Sequence, residues 1–157
     1  MLKKYLFIFF LSMVPIIELR GAIPFAVNWE LNYWTSLTVC AIGNMLPVPI
    51  IYLFARKVLH WGADKKYIGK FFRFCIEKGE RGGQKLMKRA GRGGLFVALM
   101  LFVGIPVPGT GAWTGTLAAS FLNMGIRSTV TAVSLGVVIA GIIMGVASTG
   151  VFSIFGI

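Results

Sequence analysis

Polar residues are so sparse along the first third of this chain that each one marks a feature. From Tyr5 to Ile17 there is a single polar side chain, Ser12, and Phe25–Val27 is apolar again. Between these runs lies Pro15-Ile-Ile-Glu18-Leu-Arg20-Gly-Ala-Ile-Pro24, which sets a carboxylate and a guanidinium between two prolines. Further apolar segments cover Trp34–Phe54, Leu95–Met124 and Thr129–Ile157. None shows the alternation of about ten residues expected of a membrane β-barrel strand. The run before Glu18 is too short to cross a bilayer, which needs about 20 helical residues. The pattern predicts a half-helix over Leu2–Ile17, a turn carrying Glu18 and Arg20, and a second half-helix leaving at Pro24, where the missing N–H of a first helical position costs nothing. Non-helical backbone at membrane depth requires burial in protein or a water-filled cavity, and ionisable groups there mark a site. A plain alternative is that both charges stand at the edge of an ordinary helix.

A second stretch repeats the pattern. Leu95–Val103 is another short apolar run, and it ends in Gly104-Ile-Pro106-Val-Pro108-Gly109-Thr110-Gly111-Ala-Trp113-Thr114-Gly115. Paired half-helices broken by Pro and Gly at corresponding places point to a transporter's binding site. Thr110 is the expected N-cap of the returning segment. Gly111, Gly115 and Ala119 are expected to let helices approach closely, as are Gly141 and Gly145.

Between the hairpins, Thr35–Phe54 reads as a full span. Gly43-Asn44-Met-Leu-Pro47-Val-Pro49 predicts a kink in it, and Asn44 needs a hydrogen-bonding partner in lipid. The expectation places Asn44 at the cavity that holds Glu18. Asn28, Glu30 and Asn32, beside Trp29, Tyr33 and Trp34, mark a membrane–water interface.

Composition agrees with a membrane protein: of 157 residues 57% are hydrophobic and 13% charged. The net charge of +11 is concentrated, since Arg56–Arg92 carries 12 Lys/Arg against 3 acids. The positive-inside rule assigns that segment to the cytoplasm. Ile68, Phe71, Phe72 and Cys75 fall at helical spacing with Lys66, Lys70 and Arg73 off their face, which predicts a basic amphipathic helix on the membrane surface. Gly79, Gly82 and Gly83 are expected to break it, with a second basic helix over Gln84–Arg92. Nucleic-acid binding is set aside, because flanking spans account for the charge and no recognition motif is present. A cleaved signal peptide is also set aside, because Glu18 and Arg20 interrupt the apolar region. Two cysteines and one histidine give no metal or disulfide framework.

The reading is therefore an all-α polytopic membrane protein, an inverted repeat of re-entrant hairpin plus transmembrane helix. The first repeat covers 1–55 (hairpin 5–30, span 34–55). The basic segment is 56–94, and the second repeat is 95–157 (hairpin 95–126, span 128–149). If each hairpin leaves on the side it entered, the N-terminus starts outside. Lys3 and Lys4 favour the other arrangement, a complete first crossing with both termini cytoplasmic.

Ile17-Glu18-Leu-Arg20-Gly-Ala-Ile-Pro24, Gly43-Asn44-x-x-Pro47 and Pro106-x-Pro108-Gly-Thr-Gly-Ala-Trp113-Thr-Gly115 resemble the signature of the putative small multidrug export proteins. That group resembles, more distantly, the DedA/VTT superfamily, with two re-entrant hairpins in inverted orientation. The resemblance implies lipid flipping, for example of undecaprenyl phosphate, and dependence on the proton-motive force. It also implies an acidic residue in the first hairpin, matched by Glu18, and a basic position matched by Arg127. Where those relatives usually carry Arg before the second hairpin's proline, this chain has Gly104-Ile105-Pro106.

Three function classes follow. The first is a carrier or flippase for an anionic amphiphile such as a lipid phosphate. Helix starts near Pro24 and Thr110 would supply partial positive charge, Arg20 a bidentate fork and Glu18 the proton coupling. The second is a small multidrug cation/proton antiporter with Glu18 as the shared site. The third is a non-transporting scaffold with Glu18–Arg20 as a structural ion pair. The binding residues expected are Glu18, Arg20, Pro24, Asn44, Pro106, Pro108, Gly109, Thr110, Gly111, Trp113, Thr114 and Arg127. Neither enzyme chemistry nor a cofactor or metal is expected. The expected partners are membrane lipids, the amphiphilic substrate, a coupling proton or cation and a second copy in a homodimer. The expected place is the cytoplasmic (inner) membrane.

Overall fold

Prolines punctuate this chain, and the helices follow from them. The structure is a computed structural model that describes residues 1–107 and 109–155. Among these residues there are seven α-helices and no strand: α1 (Leu2–Met13), α2 (Glu18–Asn28), α3 (Tyr33–Met45), α4 (Pro47–Ala63), α5 (Gly69–Gly104), α6 (Ala112–Phe121) and α7 (Ile126–Phe155). Val14, before Pro15, is extended at φ −73° and ψ 129°. Ile105, before Pro106, is extended at φ −80° and ψ 118°. In both cases proline's Cδ disfavours helical backbone in the preceding residue, and a helix ends.

Two stretches, Tyr33–Ala63 and Ile126–Gly150, are long and apolar enough to cross a membrane. The first is α3 and α4 together. They are joined at Leu46, which stays right-handed helical, and Pro47 and Pro49 each withdraw a backbone donor there. Two helix segments thus meet where the kink is expected. α1, α2 and α6 have 12, 11 and 10 residues, about 15–18 Å at 1.5 Å per residue, against a hydrocarbon thickness of about 30 Å.

Side-chain contacts fix the direction of each helix. The Phe7 and Trp29 ring centroids lie 5.3 Å apart, and Lys4 Nζ sits 5.7 Å over the Trp29 ring. α1 and α2 therefore form an antiparallel hairpin with its turn at 14–17. α3 runs parallel to α1, with Cys40 Sγ donating to Ile8 O at 3.8 Å. α7 runs antiparallel to α3, since Tyr33 Oη donates to Gly141 O at 3.0 Å and Ser134 Oγ lies 3.6 Å from Met45 Sδ. The last part of α5 runs parallel to α7, with Gly136 against Met100 and Val103, and it packs back on α6 through Val103 and Gly115. The two hairpins thus open toward opposite ends of the long helices, and their turns meet between them. The buried core gathers Ile8, Leu19, Ile23, Val48, Val103, Val133 and Val137.

Several expectations need correction. α1 stops at Met13, and helix resumes at Glu18. Glu18 and Arg20 therefore lie in the first turn of α2 rather than in the loop, and Pro24 sits inside α2 instead of starting it. Gly79, Gly82 and Gly83 do not break the basic helix. α5 runs through them, and only Gly91 leaves helical backbone, at φ 66° and ψ −179°. The reason is tertiary: Gly79 and Gly83 pack against the backbone carbonyls of Phe121 and Leu122, where a Cβ would collide. Gly141 and Gly145 make room for side chains rather than another helix's backbone, Leu37 and Leu19 at the first and the Tyr33 ring at the second.

Candidate functional site

Each hairpin turn leaves loose helix ends: free N–H groups where α6 begins and free carbonyls where α5 finishes. Their own sequence supplies little to cover them. Gly111 occupies the N-cap of α6, and α6 has no side-chain cap of its own. Thr110, expected to cap, instead donates to Ile105 O at 2.9 Å and Val107 O at 2.8 Å.

The first hairpin provides both caps. The Glu18 carboxylate accepts Ala112 N–H at 3.2 Å on Oε2 and Trp113 N–H at 3.0 Å on Oε1. It places a full negative charge at the positive end of α6. Arg20 does the converse. Its Nη1 donates to Val107 O at 2.7 Å and Thr110 O at 2.5 Å, and its Nη2 donates to Val103 O at 2.9 Å and Ile105 O at 3.1 Å. A cation thus sits where α5 presents its carbonyl ends. The spacing Glu-x-Arg brings one residue to each end of the facing turn, forming a clasp between hairpins about 90 residues apart in sequence.

The clasp explains local oddities. Glu18 and Ile16 stand at φ 53° and 77°, a region costly for L-residues and especially for a β-branched one. Such conformations cost roughly 1–3 kcal/mol each and persist only where the surroundings over-determine them; here two N–H donors hold Glu18. Gly111, at φ 155°, faces the Glu18 carboxylate so closely that a Cβ would overlap Oε2. The expected helix-spacing role of Gly111 is thus corrected to making room for a carboxylate. Gly115, like Gly141 and Gly145, makes room for side chains, here those of Val103 and Leu99 on α5.

A cavity of about 510 Å³ opens beside the clasp. Its walls include Glu18, Arg20, Pro106, Gly109, Thr110, Trp113 and Thr114 from the expected set. Sequence reasoning missed Pro15, Ile16, Val107, Leu117 and Met144. The first two and Val107 were findable as turn residues; nothing local marks Leu117 or Met144. The remaining expected residues lie elsewhere. Asn44 is buried on α3 at 2% exposure and is not on this wall; its Oδ1 has no hydrogen-bond partner among the described residues. Arg127 lines a different cavity at the start of α7. Pro24 is within α2, and Gly111 is buried behind Glu18. Pro108 lies outside the described residues.

Residual hydrogen-bonding capacity separates the chemistries. A guanidinium has five N–H groups, and the four on Nη1 and Nη2 are taken by carbonyls, which leaves Nε–H. No two-pronged fork remains for a phosphate. A carboxylate has about four lone-pair positions, and two are occupied. Glu18 and Arg20 do not form an ion pair with each other: the one ion pair among the described residues is Arg81–Glu77, at 3.9 Å on the surface. No group of three or more His, Cys, Asp or Glu that could hold a metal occurs among the described residues.

The family model described as putative small multi-drug export protein matches residues 18–143, well over half of the chain. No curated protein matches, and no solved structure matches.

Proposed function

The chain belongs to the putative small multi-drug export protein family, and from that membership and the clasp geometry we propose that it exports small amphiphilic cations across a membrane. The family and the two apolar helices place the chain in a membrane. We further assign it to the cytoplasmic membrane, with the basic segment 56–94 inside and the two hairpins re-entrant in an inverted repeat. Three things support that arrangement: helices too short to cross, turns that meet between the long helices, and the positive-inside rule.

The observation that carries the substrate class is the state of the two charges on the cavity wall. Arg20 spends four donors on carbonyls of the second hairpin, whereas Glu18 keeps acceptor capacity on a wall that Trp113 and Met144 also line. Carboxylate, aromatic face and sulfur suit a lipophilic cation. An anion would have to break Arg20 bonds before it could take a two-pronged contact. Glu18 serves as the shared site for cation and proton. Its protonation removes the charge that holds the cation and weakens the cap on α6, so substrate release and loosening of the turns occur together.

Two ions of the same shape and opposite charge test this reading. Tetraphenylphosphonium and tetraphenylborate are titrated by calorimetry into the detergent-solubilised chain, with empty micelles subtracted. The cation binds more tightly than the anion, and Glu18→Gln removes the difference while Gly109→Ala, a wall residue with open space around it, keeps it. Tighter binding of the borate overturns the cation assignment and restores the lipid-phosphate reading. Equal and negligible binding of both leaves a scaffold.

A further inference from the structure

A second cavity, of about 400 Å³, lies at the other end of α6, where Arg92 follows the Gly91 bend and Arg127 stands in the first turn of α7. Asn123 and Ser128 share its wall. Both arginines are exposed. Neither belongs to the one ion pair among the described residues. Two guanidinium groups on one cavity wall raise the positive potential there and favour an anion, and the first turn of α7 adds partial positive charge at the same place.

This cavity does not end in polar walls. Its Leu95 and Met124 also line an adjoining groove of about 180 Å³, completed by Ala98, Leu99, Phe102, Ala118 and Leu122. The groove runs along α5 from Leu95 toward Phe102, about 10 Å at 1.5 Å per residue, away from the charged end and toward the hairpin turns. A cationic pocket adjoining an apolar groove along the helix axis suits one phospholipid: phosphate at the mouth, acyl chain in the groove. The surroundings agree. On the first half of α5 and the segment before it, Tyr67, Phe71 and Phe74 are 94%, 66% and 57% exposed among Lys66, Lys70, Arg73 and Lys78, a pattern of aromatic and basic residues suited to a headgroup layer.

We propose that Arg92 and Arg127 hold the phosphate of one anionic phospholipid, whose acyl chain occupies the α5–α6 groove. The site is separate from the cavity at Glu18 and does not depend on the substrate assigned there. The lipid spans the seam between the basic helix and the second hairpin, and fixes the end of that hairpin at the membrane surface.

Native mass spectrometry of the full chain in detergent tests this. Phosphatidylglycerol and phosphatidylcholine with identical acyl chains are titrated, with inorganic phosphate as competitor. One phosphatidylglycerol is retained at least about tenfold over phosphatidylcholine, and millimolar phosphate does not displace it. Arg92→Gln with Arg127→Gln abolishes the preference. Lys70→Gln with Lys88→Gln, an equal loss of charge outside the cavity, leaves it. Ala98→Trp, filling the groove, weakens retention of both lipids. All four residues altered for charge are exposed, and unchanged thermal midpoints show that the variants fold. An equal loss in the lysine variant overturns the proposal in favour of diffuse surface attraction. Displacement by inorganic phosphate, or no effect of Ala98→Trp, overturns it in favour of a free-anion site.

Discussion

Replacing Glu18 by Gln removes the charge from the clasp with little change in shape. The carboxylate now satisfies Ala112 N–H and Trp113 N–H, at 3.2 and 3.0 Å. An amide has one acceptor oxygen, so its NH2 must face one of these donors. A hydrogen bond to a charged group contributes about 1.5–3 kcal/mol, and a buried donor left unpaired costs about 1–3 kcal/mol. The dipole interaction at the α6 terminus adds about 0.3–1 kcal/mol. Measured side-chain bonds in membrane proteins run lower, near 0.6 kcal/mol and rarely above about 1.7. A loss of about 2 kcal/mol respects both scales, and it corresponds to about 30-fold in an opening equilibrium. Hydrogen exchange followed by mass spectrometry reads this directly. A peptide covering 106–117 exchanges about 30-fold faster in Glu18→Gln, while one covering 37–45 on α3 is unchanged. Equal acceleration in both peptides means global destabilisation, and no acceleration in 106–117 refutes the capping role.

Arg20→Lys retains the charge but offers three donors to four carbonyls spread over both sides of the turn; it lowers the thermal midpoint measurably, with a loss of about 1.5–3 kcal/mol, and Arg20→Gln lowers it further. Gly111→Ala places a Cβ on the Glu18 carboxylate and reduces folded yield in size-exclusion chromatography, whereas Gly109→Ala, at φ 86° with open space, shows only the roughly 1–2 kcal/mol of left-handed backbone. Gly83→Leu drives a side chain into the Leu122 carbonyl and separates α5 from the end of α6, raising protease cleavage in the basic segment. Cysteines placed near residues 2 and 30 label from one side of the membrane and a cysteine near residue 80 from the other; labelling of residue 2 with residue 80 contradicts the hairpin arrangement.

Much of the helix map was legible because its causes are local. Pro15 and Pro106 end helices through their effect on the preceding residue, and α3 gives way to α4 at Pro47, where a kink was expected. Gly91 falls near the end of the Gln84–Arg92 helix expected from the sequence, and it alone leaves helical backbone within α5. The failures share a cause: each depends on a contact distant in sequence. Gly79 and Gly83 look like breakers until the Phe121 and Leu122 carbonyls are seen against them. That Glu18 and Arg20 need partners was visible, since charges in an apolar run demand them. Which partners was not, since the backbone groups they hold belong to residues 103–113 and any N–H or C=O looks alike in a sequence. A weak signal did exist: the second hairpin has no carboxylate or arginine at its turn, so its helix ends needed help from elsewhere. Asn44 shows the opposite error, since an intramembrane amide was assigned to the Glu18 cavity but lies buried away from its wall.

Transport in sealed proteoliposomes tests the central claim most directly. Wild type and a folded Glu18→Gln variant are reconstituted, and efflux of a fluorescent lipophilic cation is followed beside translocation of a labelled lipid phosphate. The account predicts cation efflux by wild type that depends on a pH gradient, its loss in Glu18→Gln, and no lipid-phosphate movement in either. Lipid-phosphate translocation by wild type without cation efflux would contradict it.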